Sequence, residues 1–350
     1  MVCLVPRLSG VGGMVSFRQK LEQGLKEKGF VVTDSPAEVD DGAVLVIGGT
    51  RQIPALVRAR QRGALIVQRL DGMNWIHRLG GTGVRHYLRS EYGNFLLRLI
   101  RSKVADRLVY QSAFARQWWE EAHGGGEKFA TIIHNGVDLK MFSPGGNPPE
   151  VKGKVRVLLV EGSLQGGYEI GLESACQLVM EMASQIAHSH LNVQEIELTV
   201  VGKVSPDSCR RGEARLSASF LPVKTTLHWT GVLHHDAIPE IDRSAHLFFS
   251  ADINAACPNS VIEAMACGTP VIAYDTGALG EIVGSEGGRI VPYGGDPWKL
   301  DAPDAKTLAL VAREMLDSLK SYQQRARIRA EKFFDVNSMV EKYAEVLELN

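Results

Sequence analysis

The chain has 350 residues, of which 45% are apolar and 23% charged, and its formal net charge is -1 at pH 7. This composition is typical of a soluble globular protein with room for two domains, and it argues against a disordered or fibrous chain. No stretch approaches the roughly 18 uninterrupted apolar residues of a membrane span, and the five cysteines form no C-x-x-C pair, which favours reduced thiols over a structural zinc site.

Short apolar runs alternate with helical patterns along the chain, which predicts βα units and mostly parallel sheets. In the first half the predicted strands are Val2–Pro6, Phe30–Thr33, Ala43–Ile47, Ala64–Gln68, Arg107–Gln111 and Ala130–His134. In the second half they are Val155–Glu161, Glu197–Gly202, Thr226–Trp229, His246–Ser250, Val271–Tyr274 and Arg289–Pro292. The Gly- and Pro-rich segment Ser143–Pro149 predicts a linker between the halves. We therefore expect two doubly wound, Rossmann-like α/β domains facing a central cleft.

A glycine-rich loop, Ser9–Met14, follows the first predicted strand and opens a predicted helix over Val15–Lys28. Ligands of doubly wound sheets bind outside the carboxyl ends of the strands. Glycines in such a loop let backbone N–H groups approach an anion or a sugar closely. Tight turns also need glycine, so the loop by itself allows both interpretations.

The segment Val67–Trp75 follows the fourth predicted strand and faces the cleft by the same rule. Arg69 and Asp71 in this segment either bind hydroxyl groups of an acceptor or sugar, or form a salt bridge that shapes the loop. His77 and His86 come next, in a Gly-rich stretch. We expect them to be solvated loop histidines rather than catalytic groups.

The near-zero net charge conceals an asymmetry. Residues 1–145 carry 20 Lys and Arg against 13 Asp and Glu, and the excess lies between Arg51 and Arg107. This surface either attracts anionic lipid headgroups or a phosphorylated acceptor, or is a solvated arginine-rich face. The apolar and basic run Phe95–Val104 is compatible with a helix on a membrane surface and with a core-facing helix that has a basic edge.

Residues Asp252–Val283 predict a loop, a short helix, a buried strand and a second glycine-containing loop. Asn259 and Ser260 are good N-cap residues, and Ser260 and Glu263 have the spacing of a capping box. A helix that begins after a loop also presents free N–H groups that suit a phosphate. From the spacing alone, we favour the interpretation that Glu263 only caps its own helix.

The identities of the residues in this segment give information beyond their spacing. The run ACPNSVIEAMACGTPVI, Ala256–Ile272, resembles the nucleotide-sugar site of the family 4 retaining glycosyltransferases, which have the GT-B fold. Ile133–Asp138 is similar to the end of the first domain in that family, and Phe333–Tyr343 is similar to its C-terminal helix. The resemblance therefore covers most of the chain.

The resemblance implies a domain organisation. Residues 1–145 would form an acceptor-side Rossmann-like domain and residues 151–332 a nucleotide-sugar-binding one. Residues 333–350 would form a helix that crosses back to the first domain. The location implied is cytoplasmic, with peripheral contact at the inner face of the membrane as an option.

The resemblance also implies a function: transfer of a sugar, with retention, from a nucleoside-diphosphate sugar to a hydroxyl acceptor in glycan or glycolipid biosynthesis, a hexosyltransferase-like reaction of class EC 2.4. Glu263 would bind the ribose hydroxyls and the start of its helix the donor phosphates. The implied donor-binding residues are Gly162, Ser163, Lys203, Val232, Asn259, Ser260, Val261 and Glu263. The candidates on the acceptor or phosphate side are Gly12, Gly13, Arg69 and Asp71. We expect no metal, because no Asp-x-Asp or His cluster suited to a metal is present. We also expect no cofactor and no nucleic-acid partner.

The chain departs from the family pattern at two places. The family has two glutamates eight positions apart, and the first falls on Ala255. The family also has a basic pair in the turn that begins at Gly162, where this chain has no Arg or Lys. Charge on the leaving diphosphate then lacks its usual stabilisation.

Other residues are candidates to compensate for these departures. Lys203, Arg210 and Arg211 would replace the basic pair, and Asp252 or Asn254 would reach the donor sugar. Together with Asp71, the last two are the catalytic candidates. The departures also leave two alternative functions: a GT-B protein that binds nucleotide or glycan without transfer, and a sugar-nucleotide epimerase of related architecture.

Overall fold

A computed structural model describes residues 1–10, 12–79, 83–125, 128–165, 169–217 and 221–349. The chain divides into two compact units, Met1–Gly136 with Phe334–Asn350, and Val137–Phe333. Within the described residues, each unit contains one parallel sheet of six strands.

The first unit is a βα sandwich of three layers. Its elements are β1 (Val2–Val5), α1 (Gly13–Glu27), β2 (Val32–Thr33), β3 (Ala43–Ile47), α2 (Ile53–Gln61), β4 (Leu65–Leu70), α3 (Val84–Leu99), β5 (Arg107–Tyr110), α4 (Ala113–His123) and β6 (Phe129–Ile132). The strand order is β2-β1-β3-β4-β5-β6. Alternate residues of β1 pack into opposite cores, Val2 and Leu4 into one and Cys3 and Val5 into the other. Both faces of the sheet are therefore covered, which explains the continuous apolar runs of its strands.

The second unit repeats the architecture. Its elements are β7 (Gly153–Leu164), α5 (Glu169–Ile186), β8 (Val193–Val204), α6 (Pro206–Ser217), β9 (Lys224–Gly231), α7 (Ile238–Ser244), β10 (Leu247–Ser250), α8 (Asn259–Ala266), β11 (Val271–Tyr274), α9 (Leu279–Val283), β12 (Gly288–Val291), α10 (Ala305–Asp317) and α11 (Leu319–Phe333). The strand order is β12-β11-β10-β7-β8-β9. The last helix, α12 (Val336–Val346), belongs to the first unit. All twelve predicted strands overlap observed ones.

The division between the units lies at Gly136, ahead of the predicted linker Ser143–Pro149. Side chains of the second unit hold the carbonyl groups of the intervening segment. Arg327 Nη1 donates to Phe142 O at 2.7 Å, and Arg243 Nε donates to Ser143 O at 2.8 Å. The segment therefore packs as part of the second unit and does not behave as an unattached linker.

The long strands β7 and β8 determine the geometry at the carboxyl edge of the second sheet. Their register shifts between Val160 and Ser163. Gly202 has a φ of 137°, and a Cβ there would collide with the carbonyl oxygen of Glu161. Glycine is required at this position because both the backbone conformation and the close approach exclude a side chain.

Candidate functional site

Helix α8 begins one to two residues earlier than the capping pattern predicted. Pro258 occupies the N-cap position with extended backbone (φ -70°, ψ 121°), and Asn259 and Ser260 are the first two helical residues. The prediction that they precede the helix as caps, with Ser260 opening a capping box, is therefore wrong. Val261 is fully buried behind them.

Glu263 lies on α8 with 9% of its side chain exposed. The Nε2 atom of His235 lies 3.2 Å from Glu263 Oε1. His235 opens a short 3-10 turn before α7, and its ring packs against buried Phe142 with ring centroids 5.2 Å apart. No motif marks His235 in the sequence. The available signal is a histidine four residues after the end of β9, near the carboxyl edge of the sheet.

A second carboxyl group lies near Glu263. Asp242 on α7 is 1% exposed, and neither of its carboxyl oxygens has a hydrogen-bond partner among the residues that the structure describes. Burial raises the pKa of Asp242 well above its usual range, the charge of Glu263 raises it further, and Arg243 lowers it in part. Asp242 is therefore held in its neutral form. Its burial comes from the packing of α7 on α8, which the sequence pattern does not reveal.

The carboxyl ends of β7 and β8 bring together two predicted donor residues. The strand register places Ser163 directly opposite Lys203. Gly162, Ser163 and Lys203 are all exposed at this edge. Lys203 lies within β8 and Gly162 within β7, so both strands extend further than predicted, but the lysine shares the carboxyl edge with Gly162 as expected.

The other predicted donor-binding residues follow strands of the same sheet in the sequence. Val232 directly follows β9 and is 55% exposed. Arg210 and Arg211 lie on α6, and both form ion pairs with Asp207 of the same helix. Because Lys203 lies opposite Ser163 at the strand edge itself, whereas the two arginines share the carboxylate of Asp207, Lys203 is the better candidate to replace the missing basic pair.

An acidic pair also lies at this edge. Glu161 is in β7, and Asp252 follows β10, which pairs with β7. Burial raises the pKa of Asp252 to about 6, and burial together with the charge of Asp252 raises the pKa of Glu161. The two groups therefore titrate as a coupled pair. Asp252 was a predicted candidate and Glu161 was not, because nothing in the sequence shows that these distant residues are neighbours.

The loop at the first departure has a fixed backbone. Ala278 N donates to Ala255 O at 2.8 Å, and a Cβ on Gly277 would lie 2.6 Å from the backbone of Ala255. Asn254 is 5% exposed in the left-handed conformation (φ 56°), and its Nδ2 atom has no hydrogen-bond partner in the described part of the chain. The absence of a carboxylate at position 255 thus leaves a well-formed loop.

In the first unit, the glycine-rich loop leads directly into α1. Gly12 is the N-cap residue, with a φ of 149°, and Gly13 is the first helical residue. Both are exposed, and no described atom lies within 4 Å of a Cβ built at Gly12. Backbone conformation, rather than contact with a neighbour, therefore requires glycine here. Val11 of the predicted loop lies outside the described residues.

The structure excludes one of the two roles predicted for Arg69 and Asp71, the salt bridge between them. Arg69 is 1% exposed, its Nη2 donates to Asn135 Oδ1 at 2.8 Å, and its guanidinium group lies 3.7 Å from the ring centroid of Phe17. Burial raises the pKa of Asp71, and the charge of Arg69 lowers it in part. Among the described residues no salt bridge joins the two side chains, so the salt-bridge alternative is wrong.

The histidines that follow are placed differently from each other. His77 is 3% exposed, and its Nε2 lies 2.9 Å from Glu91 Oε1, so the prediction of a solvated loop histidine is wrong for this residue. Its ring packs against Tyr87, with centroids 5.1 Å apart. His86 is exposed on α3. The burial of His77 comes from α3 folding over the preceding turn.

Helix α3 and the π-helical turn Ile100–Val104 that follows it decide between the two interpretations of Phe95–Val104. Leu97, Ile100 and Val104 are buried in the core, as the core-facing alternative predicts. A separate apolar stripe lies earlier on α3 and is exposed: Val84 by 77%, Leu88 by 63% and Phe95 by 56%.

Within the described residues, no group of three or more His, Cys, Asp or Glu side chains is arranged to hold a metal ion. No described helix is both long and apolar enough to cross a membrane.

Comparison with known proteins shows which family the second half of the chain resembles. Residues 166–309 match the family described as Glycosyl transferases group 1. The D-inositol 3-phosphate glycosyltransferase of Geodermatophilus obscurus is 27% identical over 220 residues, which are 61% of this chain and 47% of that protein. The chain is therefore similar to group 1 glycosyl transferases over this part of its length. The phosphatidyl-myo-inositol mannosyltransferase of Mycolicibacterium smegmatis is 26% identical over 245 residues, 68% of this chain and 56% of that protein. The matched region thus spans about half the length of these curated relatives.

Solved structures identify the fold of the chain. WaaG, a glycosyltransferase involved in lipopolysaccharide biosynthesis, superimposes with a TM-score of 0.65 at 16% identity, with all of both chains covered. Anabaena Alr3699/HepE in complex with UDP and glucose gives a TM-score of 0.64 at 15% identity, with 99% of both chains covered. The fold is GT-B, as predicted.

Proposed function

We propose that the protein is a retaining glycosyltransferase that moves a sugar from a nucleoside-diphosphate sugar to a hydroxyl acceptor in glycan or glycolipid biosynthesis. The observation that carries the proposal is the position of Glu263, buried on a helix that begins at the carboxyl edge of the second sheet. A carboxylate there accepts hydrogen bonds from the two ribose hydroxyls. The complex of HepE with UDP and glucose, which has the same fold, supports a donor of this class.

The remaining donor groups follow from the edge geometry. The first N–H groups of α8, at Asn259, Ser260 and Val261, would bind the donor phosphates. Lys203, opposite Ser163, would supply the positive charge that the end of β7 lacks. The departing diphosphate would accept the proton of the acceptor hydroxyl, so the proposed reaction needs no metal and no protein base.

Asp252 and Asn254 are the proposed contacts for the donor sugar. Asn254 has a buried Nδ2 donor that lacks a hydrogen-bond partner among the described residues, and a sugar hydroxyl would satisfy it. Asp252, whose pKa is raised to about 6, is mostly ionised at pH 7 and would accept hydrogen bonds. The backbone near Val232 would contact the base of the nucleotide.

On the acceptor or phosphate side we propose Gly12, Gly13 and Asp71. The exposed glycines offer backbone N–H groups at the start of α1. Asp71 lies just beyond β4, at the carboxyl edge of the first sheet. Arg69 would act indirectly, since it is buried against Phe17 and fixes the end of that strand.

We also propose that the acceptor is presented at a membrane. Val84, Leu88 and Phe95 lie on one face of α3, and exposed Arg85 and Arg89 flank them. An apolar stripe beside basic side chains suits an anionic lipid surface.

Flotation with vesicles should show binding to anionic but not to neutral lipid. Leu88→Ser should reduce this binding, whereas Val31→Ser, which changes an equally exposed residue elsewhere on the surface, should not. Equal binding of the protein to both lipids would contradict the proposal.

A second function has its own supporting observation: binding of nucleotide or glycan without transfer. The place of the missing basic pair is next to the half-buried acids Glu161 and Asp252, whose pKa values are raised. Negative charge there would oppose a developing diphosphate, because like charges at short range repel strongly.

Two measurements separate these functions. A thermal-shift screen with UDP, GDP, ADP, CDP and their sugars would identify the donor, because a ligand of the folded state raises the midpoint of unfolding. Acceptor-dependent product formation with that donor would then be measured. Binding with transfer supports the enzyme, binding without transfer supports the second function, and no binding to any nucleotide contradicts both nucleotide-based functions.

A further inference from the structure

We propose that His235 is a positioning residue for Glu263 and thereby determines how strongly the site recognises the ribose of its nucleotide. The inference rests on the proposed function. Its starting point is the contact of 3.2 Å between His235 Nε2 and Glu263 Oε1. With the proton on Nε2, the imidazole donates to this carboxylate oxygen and restrains the rotation of the glutamate side chain.

The surroundings of Glu263 explain why such a donor is needed. Its side chain is 9% exposed, so little water reaches the carboxylate. Of the ionisable groups packed nearby, Asp242 is held neutral by burial and by the charge of Glu263. Burial also raises the pKa of the Cys267 thiol, which therefore stays protonated. A buried carboxylate without donors is costly, and a hydrogen bond from a ring nitrogen offsets that cost.

Arg243 is the cation on the neighbouring helix, but its guanidinium group is directed at the main chain. Its Nε donates to Ser143 O at 2.8 Å, and its Nη2 lies 3.4 Å from Met141 O. Its positive charge lowers the pKa of the neighbouring Asp242 in part. His235 therefore supplies the Glu263 carboxylate with a hydrogen bond that Arg243 does not.

The orientation of His235 is itself fixed from one side. Its ring packs against Phe142, which is fully buried, while 43% of its own side chain is exposed. A carboxylate accepts several hydrogen bonds at once, so the bond from His235 is compatible with bonds from ribose hydroxyls. The imidazole would stay in place when nucleotide binds, and it would orient the carboxylate before binding, which lowers the entropy cost of recognition.

The experiment compares ribonucleotides with 2′-deoxyribonucleotides. UDP, GDP, ADP and CDP are each titrated against the protein beside the matching 2′-deoxynucleoside diphosphate, and the ratio of the two dissociation constants is the readout. We expect wild type to prefer the ribonucleotide by about tenfold, as for one hydrogen bond to a charged group. His235→Phe and Glu263→Gln should both bring the ratio to within about twofold of unity, and His235→Gln, which keeps an N–H donor at a similar reach, should restore most of it.

Controls distinguish positioning from a structural role. His234→Phe changes the neighbouring histidine, whose side chain is 82% exposed, and should leave the ratio unchanged. The thermal midpoint of each variant reports folding separately. A folded His235→Phe protein with the wild-type ratio would overturn the inference, as would a His235→Gln protein that loses the preference as fully as His235→Phe does.

Failure of the inference and failure of the proposed function give different results. If Glu263→Gln loses the preference for ribose and His235→Phe keeps it, the ribose assignment stands and only the role of His235 falls. If wild type binds none of the nucleoside diphosphates, the proposed function fails and the role of His235 fails with it.

Discussion

The two ends of the proposed donor site differ in how their charges are arranged. At the ribose end, the carboxylate of Glu263 on α8 has a hydrogen-bond partner, His235, and the nearby Asp242 is neutral. At the phosphate end, where β7, β8 and β10 finish, two acids are coupled and one exposed lysine, Lys203, lies opposite Ser163. The ribose end thus presents a carboxylate that has its own hydrogen-bond partner, whereas the phosphate end combines two acids of raised pKa with the exposed Lys203.

This difference shows that the departures are electrostatic and leave the fold unchanged. The register of β7 on β8 and the glycine at position 202 keep the edge in place without the basic pair. The loop at Ala255 is likewise held by Ala278. A protein of this fold can therefore change its chemistry at one end of the site while the other end keeps its groups.

The ribose end should show the largest effect on binding. Glu263→Ala removes a charged acceptor and should weaken nucleoside diphosphate binding by about 1.5–3 kcal/mol, roughly 10- to 150-fold. Calorimetric titration with the nucleoside diphosphate measures this loss of affinity. Glu240→Ala on the exposed side of α7 is the matched control and should bind like wild type. Unchanged affinity in folded Glu263→Ala would remove the ribose assignment and with it the contrast between the two ends.

The acidic pair at the phosphate end predicts a pH-dependent stability. Because the pKa of Asp252 is about 6 in the folded protein, above its ordinary value, the folded state binds more protons than the unfolded state between about pH 4 and 6. The free energy of unfolding should therefore fall as pH rises through 6. Asp252→Asn should reduce the difference between pH 4.5 and 7.5 by about 1–3 kcal/mol, measured by urea denaturation. The exposed control Asp236→Asn should not alter this pH dependence, and an unchanged slope in Asp252→Asn would mean that the pKa of Asp252 is not raised in the folded protein.

The lysine at the same end should have a smaller effect, confined to charged ligands. Lys203→Ala should weaken diphosphate binding by about three- to tenfold and leave binding of the free nucleoside within twofold, because only the phosphates need the charge. Lys224→Ala removes the same charge at the amino end of β9 and is the control. Equal losses for nucleoside and diphosphate would show that Lys203 acts through folding, and the phosphate end would then have no compensating cation.

The sequence predicts a feature when residues nearby in the chain determine it, and fails when residues on other elements do. The strands of both sheets are apolar runs of four or more residues in most cases, so period and turn residues located all twelve. The start of α8 was misplaced because a proline can occupy the N-cap that Asn and Ser usually take. Glu161, His235 and Asp242 were not predicted, because each owes its role to a neighbour on another element: Asp252 after β10, Glu263 on α8, and α8 itself.

The substitution Ala255→Glu tests whether the site belongs to an active enzyme. Of the substitutions considered, it should have the smallest effect on nucleotide binding. The backbone of Ala255 is fixed by Ala278 and lies against Gly277, so Ala255→Glu adds a carboxylate to a loop that does not need to move. Nucleoside diphosphate affinity should stay within about twofold, because the substitution is aimed at the sugar and not at the ribose or phosphates. If Asp252 or Asn254 orients the sugar in an active enzyme, the added glutamate should crowd that arrangement and lower acceptor-dependent product formation. If the protein only binds, the glutamate should produce no transfer, because the basic pair is still missing. A large gain of transfer in Ala255→Glu would contradict both expectations, since it would mean that the missing carboxylate alone had limited the reaction and that Lys203 already supplies the charge the diphosphate needs.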